Sequence, residues 1–264
     1  MGTQIQEVIT LGNIALSFHR AAAAVMRRIL HDAGHDVRTV EGTHEELFAL
    51  QAAGEIDILM SAWLPASHGQ YIERYRGSVE VLDSQYEPFC VWSVPSYVPE
   101  GVIAEVADLK LAGVASRMTQ TLDGINPGAG ISRFSARMIT EYGLDRAGYS
   151  FRPGTEESFV RRVERGVAEG EWFVVPLWRP YYLNSHLGLR PIAEPLGLLG
   201  GRDAASPVVD RRVLGRISPT ARKRLRGLRL GNDGVEAIDT LINVHGLTPQ
   251  DAADRWLRDT GQAD

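Results

Sequence analysis

Apolar and polar positions follow two periods over the first hundred residues. Residues 8–15 (VITLGNIA) form a short apolar, β-rich run. Residues 17–34 switch to helical spacing. Ala22, Val25, Met26, Ile29, Leu30 and Ala33 fall on one stripe, and Gly34 supplies a stop. Residues 37–40 read as a second strand. Residues 43–53 read as a helix, with Thr43 as N-cap and Glu46 three positions on completing a capping box. Residues 56–62 (IDILMSA) are a third apolar run of strand length. A β-α-β-α-β order predicts parallel strands covered by helices, with ligands at the carboxyl ends of the strands. The informative segments are therefore the strand exits, residues 16–19 and 63–68.

Residues 91–98 (VWSVPSYV) are another apolar run, broken by Pro95 and followed by Pro99, and read as a crossover into a second lobe. The alternation then resumes. Residues 124–130 form a Gly-rich turn, 132–142 a helix, 156–168 a charged amphipathic helix and 172–177 (WFVVPL) a strand. Residues 190–201 read as a return connection. Helical patterns over 219–228, 234–245 and 249–260 close the chain, the last capped by Thr248. The expected division is an α/β protein with residues 1–98 and 190–264 in lobe I and 99–189 in lobe II. Two crossings between lobes make a hinge able to close over a small ligand.

Composition narrows the function classes. The chain has 264 residues, 44% apolar and 23% charged, which suits a folded globular protein. A net charge of −5 argues against general nucleic-acid binding, which depends on cations neutralising phosphates. The single cysteine, Cys90, excludes an internal disulfide and a cysteine-based zinc site. No apolar run reaches the roughly 18–20 residues of a membrane span. Residues 1–10 carry no basic and apolar export pattern.

Catalytic chemistry finds little support. Cys90 sits in an apolar run without a charged neighbour and reads as a structural thiol. His31 and His35 are spaced i, i+4 without a third ligand nearby, and no nucleophile elbow or Walker lysine occurs. The expected catalytic, metal and cofactor sets are empty. The basic run 222–226 (RKRLR) reads as a solvated helix face. Two tryptophans stand out. Trp63 and Trp178 each end a strand, one per lobe, and each is followed by a proline two residues on. From spacing alone each serves equally well as a core residue or as a binding plate.

These residues carry a resemblance. DILMSAWLPASHGQYIERY (57–75), VWSVPSYV (91–98), DGINPGAGISRFSARMITEYGLD (123–145) and FVVPLWRPYYLNSHLGLRPI (173–192) are similar to the substrate-binding proteins of ABC transporters for glycine betaine and related quaternary amines. The resemblance implies a two-lobed periplasmic-binding-protein fold of type II, each lobe a doubly wound, mostly parallel sheet. It implies a non-enzymatic receptor that holds glycine betaine, or a related betaine or choline-like osmolyte, in an interlobe aromatic cage. The partner is then an ABC transporter permease, and the location periplasmic or extracellular at a membrane, with no export signal visible here.

A quaternary ammonium has no N–H to donate, so apolar and quadrupolar contact with aromatic faces must hold it. Trp63 and Trp178 match the family's cage tryptophans. Gly130 and Ile131 match the backbone amides that hold the ligand's carboxylate at a helix start, and His68 matches the histidine that donates to it. The sequence departs from the family in three places. Leu16 stands where an aromatic residue is expected, leaving either Phe18 as a substitute two positions on or a cage of two tryptophans and a tyrosine. Tyr181 and Tyr182 stand for His-Trp, leaving Tyr181 or Tyr182 to line the pocket. Asn126 replaces an aspartate. Arg133 and Arg179 add positive charge near the anionic end. The remaining alternatives are a cytosolic ligand sensor and an enzyme acting on methylated amines.

Overall fold

A computed structural model describes residues 8–262. Residues 1–7, most of the stretch that lacks an export pattern, lie outside the described residues. The chain opens with β1 (Ile9–Ile14), α1 (Ser17–Asp32), β2 (Val37–Gly42), α2 (His44–Ala53), β3 (Ile58–Leu64), α3 (Gly69–Ile72) and β4 (Val79–Val81). The middle of the chain forms β5 (Phe89–Pro95), α4 (Ala112–Ala115), β6 (Met118–Thr119), β7 (Thr121–Asp123), α5 (Gly130–Glu141), β8 (Ser150–Arg152) and α6 (Glu156–Ala168). It continues with β9 (Trp172–Phe173), β10 (Val175–Arg179), α7 (Leu183–His186) and β11 (Leu189–Pro191). The chain then returns through β12 (Ala204–Asp210), α8 (Pro219–Gly227), α9 (Gly231–Asn243) and α10 (Pro249–Thr260).

Two compact units result. Unit 1 holds residues 1–87 and 204–264, and unit 2 holds 88–203. These bounds differ from the expected crossings at 98/99 and 189/190, and hydrogen bonding is the reason. Residues 91–95 of that run lie in β5, which pairs antiparallel with β10 and β11, and Ser96 N donates to Gly188 O, all in unit 2. Asp203 N donates to Pro88 O at 2.8 Å, so the two ends of unit 2 are bonded to each other.

In unit 1 the sheet order is β2-β1-β3-β12-β4. β1 pairs parallel with both β2 and β3, as the β-α-β-α-β pattern predicts. β1 lies between two strands and all six of its residues are buried, whereas β2 is an edge with no buried residue. The alanine-rich face of α1 packs close to β1, α9 and α10. α2 begins at the expected Thr43 capping box, with Glu46 N bonded to Thr43 Oγ1 and Thr43 N to Glu46 Oε2. Like β4, β12, which runs antiparallel to β3 and β4, is an element the apolar pattern misses. Its sequence AASPVVD is short and interrupted by Pro207, and only its place between two strands makes it a buried strand.

The β3–β12 ladder is irregular. Leu59 faces Val208 and Ala62 faces Ser206, so β3 carries one residue more than β12 over this stretch. The surplus is a β-bulge, and Ser61 within it has φ 58°, in the left-handed region. An extra residue reverses which face the following side chains occupy. Trp63 lies just beyond it.

In unit 2 the parallel pairing occurs in two short ladders, β6 with β9 and β7 with β8. The three-stranded sheet β10-β5-β11 is antiparallel. The single strand expected over 172–177 is split, because β9 pairs with β6 while β10 pairs with β5. α5 is fixed to β5 by Trp92 Nε1 donating to Ser135 Oγ at 2.8 Å.

The bulge yields a test. Ser61→Val puts a β-branched side chain at positive φ and lowers unfolding free energy by about 1–3 kcal/mol in urea titrations. Ser61→Gly, free of the Cβ clash, stays within about 1 kcal/mol of wild type. Equal losses for the two substitutions would show that the backbone there is unstrained.

Candidate functional site

The residues singled out by sequence fall into two groups, one in each unit. In unit 1 the chain leaves β1 and enters α1 at Leu16, which adopts an extended N-cap conformation. This places Phe18 and His19 in the first turn of α1. Both are buried, and their rings lie 5.3 Å and 5.9 Å from that of Trp63. Leu16 is itself buried, so Phe18 is the aromatic residue of this exit that reaches Trp63.

Trp63 and His68 close a turn on each other. Trp63 N donates to His68 Nδ1 at 2.9 Å, and His68 N donates to Trp63 O at 2.8 Å. An Nδ1 that accepts leaves the proton of a neutral imidazole on Nε2. The side chain is thus held as an Nε2–H donor. His68 is buried, and its ring also meets His44 at 5.1 Å and Phe48 at 5.4 Å.

The indole has a further tie that no local pattern reveals. Trp63 Nε1 donates to the hydroxyl of Tyr86 at 3.1 Å. Trp63 and Tyr86 both lie opposite Ala205, on either side of β12. The methyl side chain of Ala205 leaves the span between them open. Burial raises the Tyr86 phenol to about 12, so it stays protonated at neutral pH.

In unit 2, Trp178 lies near the end of β10 opposite Cys90 and is 1% exposed. Its ring stacks on Phe159 of α6 at 5.8 Å and meets Tyr181 at 4.5 Å. Tyr182 lies 5.1 Å from Tyr181. The turn is held by Asn184, whose Nδ2 donates to Trp178 O at 2.9 Å and to Tyr181 O at 2.8 Å. Both tryptophans precede cis X–Pro bonds, Leu64–Pro65 and Arg179–Pro180.

Gly130 and Ile131 are the first two residues of α5, which packs on β10. Both are buried. The N-cap, Ala129, has no side chain able to accept from the first-turn amides, and that turn contains no acidic residue. The preceding loop is held by Asn126, whose Oδ1 accepts from Ala129 N at 3.1 Å. Helix amides left without a cap, at the positive end of twelve aligned peptide dipoles, favour an anion.

The structure thus brings Phe18, Trp63 and His68 together in unit 1. In unit 2 it joins Trp178 to Tyr181 and puts Gly130 and Ile131 on a helix beside β10. Tyr86 and Phe159 were not anticipated. Each meets its tryptophan through register or helix packing, and nothing in the neighbouring sequence marks either of them. The other reactive groups have plain structural settings. Burial pushes the Cys90 thiol up, keeping it protonated. His35 Nε2 accepts from Ser218 N at 3.2 Å. Among the described residues, no three His, Cys, Asp or Glu side chains converge to hold a metal ion. No helix among them is long and apolar enough to cross a membrane.

Burial, and secondarily the nearby His44, hold His19 well below the usual histidine range. The folded protein therefore binds this proton less readily than the unfolded chain. Stability is full above the unfolded value near 6.5 and falls as pH drops below it. One such proton contributes a slope of up to about 1.4 kcal/mol per pH unit. His19→Gln is expected to flatten the decline in melting temperature between about pH 6.5 and pH 5. An unchanged slope would place the acid sensitivity elsewhere.

Residues 7–259 match the family described as the substrate-binding domain of ABC-type glycine betaine transport systems. The glycine betaine/carnitine transport binding protein GbuC of Listeria monocytogenes is 21% identical over 145 residues, 55% of this chain and 48% of that protein. The chain thus aligns with about half the length of that curated relative. Lactococcal OpuAC, solved closed with glycine betaine bound, superimposes with a TM-score of 0.85 at 24% identity, covering 97% of each chain. The glycine betaine/L-proline-binding protein ProX of Borrelia burgdorferi also gives 0.85, at 21% identity, over 97% of this chain and 95% of that one. A choline-binding protein solved with choline gives 0.83 at 20% identity, over 97% of this chain and 89% of that one. At these identities the structural matches establish the fold.

Proposed function

We propose that this chain, which belongs to the family of substrate-binding domains of ABC-type glycine betaine transport systems, captures a small quaternary-amine osmolyte and delivers it unchanged to an ABC transporter permease. Glycine betaine is the first candidate, with related betaines, carnitine and choline-like compounds behind it. Its place of work is then the outer side of a membrane, periplasmic or extracellular.

One observation carries the reading. Each unit holds a tryptophan at a strand exit against further aromatic rings: Phe18 and Tyr86 around Trp63, Phe159 and Tyr181 around Trp178. A trimethylammonium group spreads its charge over methyls, and indole faces offer it both apolar contact and a negative quadrupole. Each well-placed ring contributes about 0.5–2 kcal/mol. Trp63 and Trp178 are assigned this role, with Phe18 and Tyr181 lining beside them. The uncapped amides of Gly130 and Ile131 suit a ligand carboxylate. His68, held with its proton on Nε2, supplies a further donor to it.

Titration calorimetry separates the two halves of this assignment. Trp63→Ala and Trp178→Ala are each expected to weaken binding of glycine betaine by about 1–3 kcal/mol. Their Phe counterparts should keep part of it. His68→Ala removes both a carboxylate donor and the partner of Trp63 N, so it should weaken glycine betaine more than choline, which lacks a carboxylate. If wild type and both Ala variants bind every quaternary amine alike, the aromatic assignment is wrong.

A further inference from the structure

The sheet of unit 1 has two chemically different ends. β1 and β3 finish at the end that carries Trp63 and the first turn of α1. At the opposite end β1, β3 and β4 begin, and β12, running the other way, finishes. Segment 211–226 is attached at that second end; beyond it Arg229 pairs with Asp83, past the end of β4, and Leu230 N donates to Gln85 O, toward the other end. Segment 211–226 holds seven Lys and Arg and no Asp or Glu, a density the ligand reading leaves unused.

Its contacts fix its place. Arg216 Nη2 donates to Val8 O, just before β1, at 3.2 Å, and its Nη1 lies 3.7 Å from Asp57, just before β3. Arg212 pairs with Asp210, the last residue of β12. Arg211 and Arg226 both pair with Glu80 in β4. Arg224 lies 4.0 Å from Asp32 at the end of α1. Five of the seven cations thus face four carboxylates, and the rim that runs across four strand ends keeps an excess of positive charge. Arg222 and Lys223, in the first turns of α8, have no carboxylate partner among the described residues.

Two features favour one kind of partner. Protein interfaces centre on apolar and aromatic side chains. Among the described residues of unit 1, only Val8 and Val244 are strongly exposed large hydrophobics. Six of the seven cations are arginines, whose planar forks suit phosphate oxygens. Ala221 and Leu225 are buried against unit 1, so α8 has no free apolar face to insert into a bilayer. A net charge of −5 on the whole chain does not cancel the rim, since charges beyond about 8 Å are screened at physiological salt.

We propose that segment 211–226 is an electrostatic docking surface for an anionic phospholipid bilayer. Adsorption through this rim leaves the Trp63 end of unit 1 uncovered. The inference does not rest on the ligand assignment, and its test contains no ligand.

Cosedimentation of the full chain is measured with vesicles of phosphatidylcholine alone and of phosphatidylcholine mixed with phosphatidylglycerol. Partitioning is expected on the mixed vesicles only, falling as sodium chloride is raised. Arg222→Glu combined with Lys223→Glu should reduce it by about tenfold or more. Acidic residues near a helix N-terminus favour the helix, so this variant should keep the wild-type melting temperature. Should it unfold, Arg222→Gln with Lys223→Gln replaces it, with a smaller loss expected. Arg161→Glu with Arg165→Glu, an equal charge change on α6 of unit 2, should retain most of the binding. Equal partitioning onto both vesicle types, absence of binding, or equal loss in the unit 1 and unit 2 variants would each overturn the proposal.

Discussion

Between Leu59 and Ala62, β3 contains one residue that β12 cannot match, and Ser61 takes up the difference with a positive φ. Side chains alternate faces along a strand, so an unmatched residue turns every later side chain over. Trp63 is two residues past this point. Its contact with Phe18 and His19, its bond to Tyr86 and its closed turn with His68 all follow from the face on which it emerges. Without the surplus residue the indole would emerge on the opposite face of the sheet.

Unit 2 reaches a similar outcome by other means. β10 pairs with β5 in regular register through Arg179, and Trp178 needs no bulge. Its orientation is set after the strand, where Asn184 ties the carbonyls of Trp178 and Tyr181, and from below by Phe159. The polar partners differ as well. Trp63 sits beside imidazoles and a phenol within its own unit. Trp178 shares its unit with an uncapped helix start that favours negative charge. A ligand with a methylated cation and a carboxylate needs both kinds of surface, because neither can serve for the other: an indole face repels an anion, and amide donors find no acceptor on a trimethylammonium.

The same sheet that ends in aromatic rings begins in arginines. This polarity follows from chain direction. In a parallel sheet the loops at the two ends are built by different segments, so chemistry at one end places no demand on the other. The return of the chain through β12 puts 211–226 at the beginning of the parallel strands. There Asp57, Glu80 and Asp210 meet its cations and leave part of the segment's charge for solvent or a partner.

What could be read from the chain alone was what local rules control. Helix periodicity, the Thr43 capping box and the Thr248 cap each involve residues within one or two turns, and the helices at 156–168 and 249–260 occupy the residues the pattern assigns them. The two tryptophans were visible because strand exits carry recognisable prolines and the surrounding motifs resemble a known family. Contacts made across the fold were not visible. β12 is a strand because β3 and β4 flank it. Residues 91–98 belong to the second unit because β10 and β11 bond to them. Tyr86 and Phe159 reach the tryptophans from distant sequence. Register and packing decide such pairings, and they depend on which backbone groups find partners once the chain has closed, a quantity that no window of neighbouring residues contains.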